Sequence, residues 1–324
     1  MQQSLNIATA DWGGTNCRSA VIKTDGESFI LDSTTYVRCA TNGLSLNQVF
    51  EKTVAVSSSL SKDKCDGVAV AVAGPVENHG IVLNAPNIGI LKEVLPFDLR
   101  ERLKGLFYMD AIVTNDLEAA LAGEVAVGSL KGAKWAMLEN IGTGWGGARL
   151  YNGVAVAAEP GHVWLPAEDE AKCGCGRMDC AEAQLSGGAI KRAVIDLCSE
   201  LGINIPKGTH PCEFADCALL EGKDWASDLY GSIAEKIGNI WGSNLNNCPE
   251  FQKIAFMGTF LENAMRIRYF SSAVRRAMLE RTMFKGRHES IEIVPVQAPR
   301  SKDGETLGPL YGNAEIFRQM LCNS

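Results

Sequence analysis

The stretch that decides the fold is Ile7-Ala-Thr-Ala-Asp11-Trp-Gly13-Gly14-Thr15-Asn16-Cys-Arg18-Ser-Ala-Val-Ile-Lys23. Two short apolar runs, 5–10 and 19–22, flank a Gly-Gly-Thr turn, the pattern of a hairpin with a small polar tip. Asp11 closes the first run. Gly13 and Gly14 let the backbone approach an anion closely, and Thr15 and Asn16 add side-chain donors. A carboxylate beside such a cradle suits a magnesium–nucleotide site, because the metal takes oxygen ligands while phosphates take N–H groups. Taken alone, the stretch reads equally as an ordinary hairpin turn. A later loop of the same kind tips the balance: Gly142-Thr143-Gly144-Trp145-Gly146-Gly147, set between apolar runs at 133–140 and 148–157. The two strand–turn–strand units read as an internal duplication.

Working outward, 28–36 reads as a third strand and 44–59 carries apolar residues at helical spacing. The run 67–76 is continuously apolar, bounded by Gly67 and Gly74-Pro75, and reads as a buried strand with a functional-looking exit. A short strand at 81–87 leads into Ala-Pro-Asn87, a helix starts in 96–104 near Asp98, and the strand 111–116 ends in Asn115-Asp116. An alanine-rich helix follows at 117–127. Strands first, then strands alternating with helices, indicate an α/β domain with its sites at the carboxyl ends of strands, where Asp11, Gly74 and Asp116 all fall. After the second glycine turn, helices are expected over 181–201, 225–246 and 264–283, and strands over 252–257, entering Gly258, and over 291–296. A polar loop at 301–305 precedes a closing helix at 307–321.

At 324 residues the chain is long for one core, so two domains are expected. A formal charge of -7 without a long basic run argues against nucleic acid as the main partner. The first strand begins within about five residues of Met1 and no apolar stretch can span a bilayer, so neither a signal peptide nor a membrane is expected and the reading is cytoplasmic. Eleven cysteines in so large a chain are a poor fit to a disulfide scaffold. Most are scattered and read as small apolar fillers, but Cys173, Cys175 and Cys180 crowd together.

The remaining chemistry lies in three places. Asn115-Asp116 stands where a strand ends and a helix begins, and reads either as a helix cap or as a general base with a hydroxyl-binding neighbour. Glu159-Pro160-Gly161-His162 follows the second hairpin closely, upstream of the C-x-C-x4-C cluster Cys173, Cys175 and Cys180. Three thiols and an imidazole complete a tetrahedral zinc shell with no open position, architectural rather than catalytic, the alternatives being a redox-active or a chance cluster. Such a metal would pin the loop carrying Glu159 and His162 against the helix starting at Ala181. Glu182 would then face the same cleft, or else serve only as a first-turn acid favoured by the helix dipole. His79, His210 and His288 show no partner in the sequence, and the arginines of 266–281 read as a solvated face.

With these residues in hand, the chain resembles the ROK-family sugar kinases and the related bacterial glucokinases of the actin, Hsp70 and hexokinase ATPase superfamily. Asp11-Trp-Gly13-Gly14-Thr15-Asn16 is similar to the first phosphate motif, Gly142-Thr143-Gly144-Trp-Gly146-Gly147 to the second, and Gly258-Thr259 to the adenosine-motif turn. Asn115-Asp116 matches the catalytic pair. Glu159-x-Gly161-His162 and Cys173-x-Cys175-Gly-x-x-x-Cys180-x-Glu182 match the segment peculiar to the family, and the motifs run in the family order over nearly the whole chain. The sequence departs from the pattern at Trp12 and Trp145, bulkier than usual, at Pro160, at Asp179 in place of a glycine, and after Asn87, where an aromatic residue is missing.

The resemblance implies a two-domain actin-like ATPase (ribonuclease H-like) α/β fold with an interdomain cleft. Residues 1–117 with 307–324 would form a smaller domain closed by the C-terminal helix, and 118–306 a larger one with the zinc loop. It implies ATP, Mg2+ and structural Zn2+ as cofactors, a sugar as substrate and, by family habit, a homodimer. Asp116 would be the base. Asn87, Asn115, Glu159, His162 and Glu182 would hold sugar hydroxyls, with His162 also a zinc ligand. Asp11, Gly13, Gly14, Thr15, Asn16, Gly142, Thr143, Gly144, Gly258 and Thr259 would serve the nucleotide. Asp116 and the glycine turns are expected to converge across one interdomain gap. The implied reaction is phosphorylation of the 6-hydroxyl of a glucose-like hexose, with an N-acetylglucosamine or N-acetylmannosamine kinase as the alternative and polyphosphate as the alternative donor. A sugar-sensing ROK regulator would carry an additional DNA-binding region before the phosphate hairpin. A binding module without catalysis would have no need of Asp11 and Asp116.

Overall fold

A computed structural model describes residues 4–13, 16–41, 48, 65–85, 96–166 and 171–323. The expected 44–59 helix, Gly14, Thr15 and Asn87 lie outside the described residues, Gln48 apart. Two compact units emerge, Met1–Ala133 with Arg149–Ala157 and Val296–Ser324, and Lys134–Ala148 with Ala158–Pro295.

The first unit is built on a five-stranded sheet of order β3-β2-β1-β4-β8. Its strands are β1 (Leu5–Trp12), β2 (Asn16–Thr24), β3 (Phe29–Ala40), β4 (Gly67–Val72) and β8 (Ala111–Asn115), while β5 (Val76–Glu77), β6 (Ile81–Val82) and β7 (Phe97–Asp98) form a small separate sheet. The strand expected at 81–87 is thus reduced to two residues within the described part. β1 pairs antiparallel with β2 across the glycine turn and parallel with β4, which pairs parallel with β8. Every residue of β4 is buried because both faces are covered. Val68, Val70 and Val72 pack with Leu99 and Leu103 of helix α1 (Leu99–Phe107). Ala69 faces Leu310, Ala314 and Phe317 on the opposite side.

Helix α2 (Asp116–Val127) follows β8 directly and packs on the C-terminal helix, so the boundary expected at 117 falls instead after Ala133. The reason is a close helix crossing: a Cβ on Gly312 would lie 1.8 Å from the Ala119 carbonyl, and one on Gly123 would lie 2.0 Å from the Gly308 carbonyl.

The second unit repeats the theme. Strands β9 (Ala136–Ile141), β10 (Trp145–Tyr151), β11 (Val154–Ala158), β12 (Lys253–Met257) and β13 (Glu292–Pro295) lie in the order β11-β10-β9-β12-β13, with residues 149–157 of β10 and β11 grouped with the first unit. In both sheets the sequence order across the sheet is third, second, first, fourth, fifth, which supports the duplication read from the glycine turns. Helices α3 (Ala181–Leu185), α4 (Gly187–Glu200), α5 (Pro211–Leu220), α6 (Asp224–Leu245), α7 (Thr259–Arg266), α8 (Arg268–Arg281) and α9 (Lys285–His288) fill the unit, and α10 (Gly308–Asn323) closes the chain in the first one. The helix expected over 181–201 is two helices broken at Ser186, which caps α4 by accepting from the Ala189 amide. The one expected over 264–283 starts earlier and breaks at Ile267, which is extended. Arg275, on the helix read as a solvated face, instead donates to the carbonyls of Ile291 and Glu289.

Candidate active site

In the first unit, register brings the candidate residues to one edge of the sheet. Trp12 lies opposite Val72, and Val72 opposite Asn115, so Asp11 and Asn115-Asp116 end strands only two positions apart, roughly 10 Å. Asn313 of α10, fully buried, stitches that edge from behind: it donates to the Ala10 carbonyl at 2.9 Å and accepts from the Thr114 hydroxyl at 2.7 Å.

Asp11 is buried and pairs with Arg18, its register partner across β1–β2. Burial raises its carboxyl above the usual range, against the pull of Arg18. Arg18 in turn donates to the Thr306 carbonyl at 2.6 Å and lies 3.8 Å from Glu305, so the C-terminal segment holds it in place. The Gly13 amide donates to the Asn16 carbonyl at 2.9 Å, and the Thr41 hydroxyl reaches the Gly13 carbonyl at 3.2 Å. Trp12 is completely buried in the core beneath α1.

The two readings of Asn115-Asp116 divide between the two residues. Asn115 is the helix cap: its side-chain oxygen accepts from the Leu117 and Glu118 amides, and its Nδ2 donates to the Gly74 carbonyl at 3.0 Å. Glu118 completes a capping box by accepting from the Asn115 amide. Asp116 is therefore the first helical residue, half-buried, its Oδ1 accepting from the Leu117 amide at 3.0 Å.

In the second unit, the turn after β9 is held on several sides. The Gly142 amide donates to the Gly144 carbonyl, and the Gly187 amide to the Gly142 carbonyl at 2.8 Å. The Trp145 amide donates to Glu182 Oε2 at 2.9 Å, and its indole N–H to the buried Glu139 at 2.8 Å. Gly258 adopts φ +105°, and a Cβ there would sit 2.1 Å from the Ile141 carbonyl, so only glycine lets the β12–α7 turn approach this loop. Between these turns opens a cavity of about 510 Å3, lined by Gly142 and Thr143, Gly187 and Gly188, Gly258 and Thr259, with Lys191, His210 and Glu213 among its polar walls. The sequence reading missed this last group. The signal for α5 was Pro211 directly after His210: proline at a first helical position, with His210 Nδ1 accepting from the Cys212 amide.

His162, Cys173, Cys175 and Cys180 come together with their ligand atoms all within 4.8 Å of one another. Cys173 Sγ lies 3.7 Å from His162 Nδ1, and Cys175 Sγ 3.7 Å from Cys180 Sγ. Those spacings match the edge of a tetrahedron with metal–sulfur bonds of about 2.3 Å. The fit is of donor type and of distance, and His162 turns Nδ1 inward. A small hairpin shapes the loop, with the Cys173 amide donating to the Arg177 carbonyl at 2.9 Å. Asp179 takes φ +54°, the left-handed conformation glycine favours, and compensates by accepting from the Ala171 amide at 3.0 Å. Glu159 and His162 flank the buried turn Pro160–Gly161, and partial desolvation raises the Glu159 carboxyl, opposed by His162 and aided by Glu182.

The expected residues thus fall into two sets. Asp11, Gly13, Asn16, Asn115 and Asp116 belong to the first unit, and Gly142, Thr143, Gly144, Glu159, His162, Glu182, Gly258, Thr259 and the thiols to the second.

A family model described as ROK family matches residues 7–319. A glucokinase of Halalkalibacterium halodurans is 30% identical over 269 residues, 76% of this chain and 78% of that protein. An N-acetylmannosamine kinase of Escherichia coli is 34% identical over 195 residues, 56% of this chain and 62% of that one. The crystal structure of a ROK hexokinase from Thermus thermophilus superposes with a TM-score of 0.75 at 19% identity, covering 98% of this chain and 100% of its own. The fold is the two-domain actin-like ATPase fold, and the chain belongs to the ROK family.

Proposed function

We propose that this protein transfers the γ-phosphoryl group of ATP to the 6-hydroxyl of a glucose-like hexose, with Asp116 as the general base. The chain is an ATP-dependent sugar kinase. The observation that carries the finer reading is the division of labour at the start of α2. Because Asn115 and Glu118 satisfy the helix start, Asp116 is not required there as a cap. It stands at the carboxyl edge of the sheet with Asp11, where such folds bind ligands.

Phosphoryl transfer asks the protein mainly for positioning and charge neutralisation. In this reading Asp11, fixed by Arg18, would orient, through water, the magnesium that arrives with the nucleotide. Gly142, Thr143, Gly258 and Thr259 line a cavity large enough for a nucleoside, which favours ATP over polyphosphate as donor. Asp116 takes the proton from the sugar hydroxyl as its oxygen attacks in line, while Asn115, Glu159, His162 and Glu182 hold neighbouring hydroxyls. The thiol–imidazole cluster would hold zinc, which supplies fixed ligand geometry and no open coordination position.

Asp116→Asn is expected to lower kcat by about a thousandfold, within the range for loss of a general base, with sugar affinity changed less than about tenfold. Near-normal turnover in that variant would remove Asp116 from the mechanism. The second reading, an N-acetylhexosamine kinase, is supported by the identity to the Escherichia coli N-acetylmannosamine kinase. Coupled ADP release across glucose, N-acetylglucosamine and N-acetylmannosamine separates the two.

A further inference from the structure

We propose that Glu182 couples the thiol–imidazole cluster to the glycine turn at 142–147, so that metal bound by the cluster sets the order of that turn and hence its hold on nucleotide. The nucleotide half of this rests on the kinase reading. The mechanical half rests on contacts within the second unit alone.

Glu182 follows the last thiol, Cys180, by two residues, and its two carboxylate oxygens serve different neighbours. Oε2 accepts from the Trp145 amide at 2.9 Å, and Oε1 from the Cys173 thiol at 3.5 Å, a bond given up when a metal takes Cys173 as thiolate, so the Trp145 contact is the one that serves in the loaded form. The turn hugs this carboxylate: a Cβ on Gly144 would sit 2.5 Å from Oε2. A second contact runs through the turn that presents His162, where a Cβ on Gly161 would lie 2.2 Å from the Trp145 carbonyl. The ligand-bearing segment therefore touches Trp145 on its N–H side through Glu182 and on its C=O side through Gly161. Trp145 is buried, so its backbone cannot shift without disturbing the core.

Four ligands drawn from His162 and the 173–180 loop become one rigid body when they share a metal. Without it, the loop depends on hairpin hydrogen bonds, and Cys175 is exposed. Order imposed on the loop passes to Glu182, one residue into α3, and from its carboxylate to the Trp145 amide. Coupling of this kind is reciprocal in binding free energy. Metal should tighten nucleotide binding, and nucleotide should tighten metal binding by the same factor.

The test is amide hydrogen exchange of the peptide covering 142–147, in full-length protein loaded with zinc or stripped by a chelator. In the wild type, loading should slow exchange at the turn at least about tenfold, the worth of one hydrogen bond to a charged acceptor. Glu182→Ala, loaded with zinc, should exchange there as fast as stripped wild type. Glu182→Gln should retain most of the protection, because its amide oxygen still accepts from Trp145. Calorimetric titration with a non-hydrolysable ATP analogue should show affinity rising by a similar factor on loading in the wild type and not in Glu182→Ala. Equal exchange in loaded and stripped wild type, or full protection in loaded Glu182→Ala, overturns the coupling. Protection that follows zinc and Glu182 in a protein that binds no nucleotide would uphold the coupling and overturn the kinase reading instead.

Discussion

Glu118 shows how one residue can serve the helix start and burden the fold at once. It is buried, it caps the helix carrying Asp116, and its Oε1 lies 3.5 Å from His79 Nε2. Burial, and secondarily Arg100, lowers the proton affinity of His79, so the imidazole is a poor source of positive charge for its neighbour. Desolvation raises the Glu118 carboxyl from 4.5 to about 7, with the Asn115 amide pulling weakly the other way. A carboxyl that binds its proton more tightly when folded favours the fold fully below its unfolded value, and that contribution is lost as pH rises through the folded one. Glu118→Gln keeps an acceptor for the Asn115 amide and removes the charge. The variant should therefore match wild type in stability near pH 4.5 and exceed it by on the order of 2 to 3 kcal/mol at pH 8. Denaturant unfolding at several pH values measures the gap, and a gap that does not widen with pH would contradict the assignment. None of this was legible in the sequence, where Glu118 is one acid in an alanine-rich helix and His79 has no visible partner.

At the scale of elements, glycine placement decides what packs. Gly312 and Gly123 sit where α2 and α10 cross, and added Cβ atoms would lie 1.8 Å and 2.0 Å from backbone carbonyls of the facing helix. Alanine is intrinsically better in a helix by about 1 kcal/mol. Backbone overlap at this crossing costs more than that, because neither helix can retreat without opening the core around Leu310 and Phe317. Gly312→Ala should destabilise the protein by about 2 kcal/mol or more in denaturant unfolding. Gly105→Ala, in α1 with nothing near its added Cβ, should stabilise it by roughly 0.5 to 1 kcal/mol. The sequence predicted both helices but could not assign α2 to the first unit, since the glycines that join it to α10 lie far apart in the chain. Helix breaks were similarly hidden. Ala181, Leu185 and Ala189 are all buried at four-residue spacing, so the apolar pattern runs straight through Ser186, whose capping bond, with the Gly187 amide turned to the Gly142 carbonyl, divides α3 from α4.

At the scale of the molecule, the strongest clues were local ones. Two glycine turns, an Asn-Asp pair and a C-x-C-x4-C cluster each carry their chemistry within a few residues, and the duplicated strand order follows from the first of these. His210, Glu213 and Lys191 escaped notice because they reach one cavity only when α4 and α5 pack beside α7. The same partition makes metal removal informative. The cores divide cleanly: one cluster, around Trp145, Leu185, Tyr230 and Trp241, lies within the second unit, and those around Trp12 and Phe317 lie within the first. Ala181 and Leu185, just past the last thiol, belong to the second core, so ligand-loop order is tied to the packing of that unit alone. Binding energy of a structural metal is folding energy for the part that holds it. Chelation should therefore lower the melting transition of the second unit by several degrees and leave the first unmoved, splitting or broadening the calorimetric endotherm. Hydrogen exchange on the same samples assigns the shifted transition, with α3–α4 peptides losing protection while β1–β4 peptides keep it. A uniform loss across both units would mean that the cluster stabilises the molecule as a whole rather than the half that bears it.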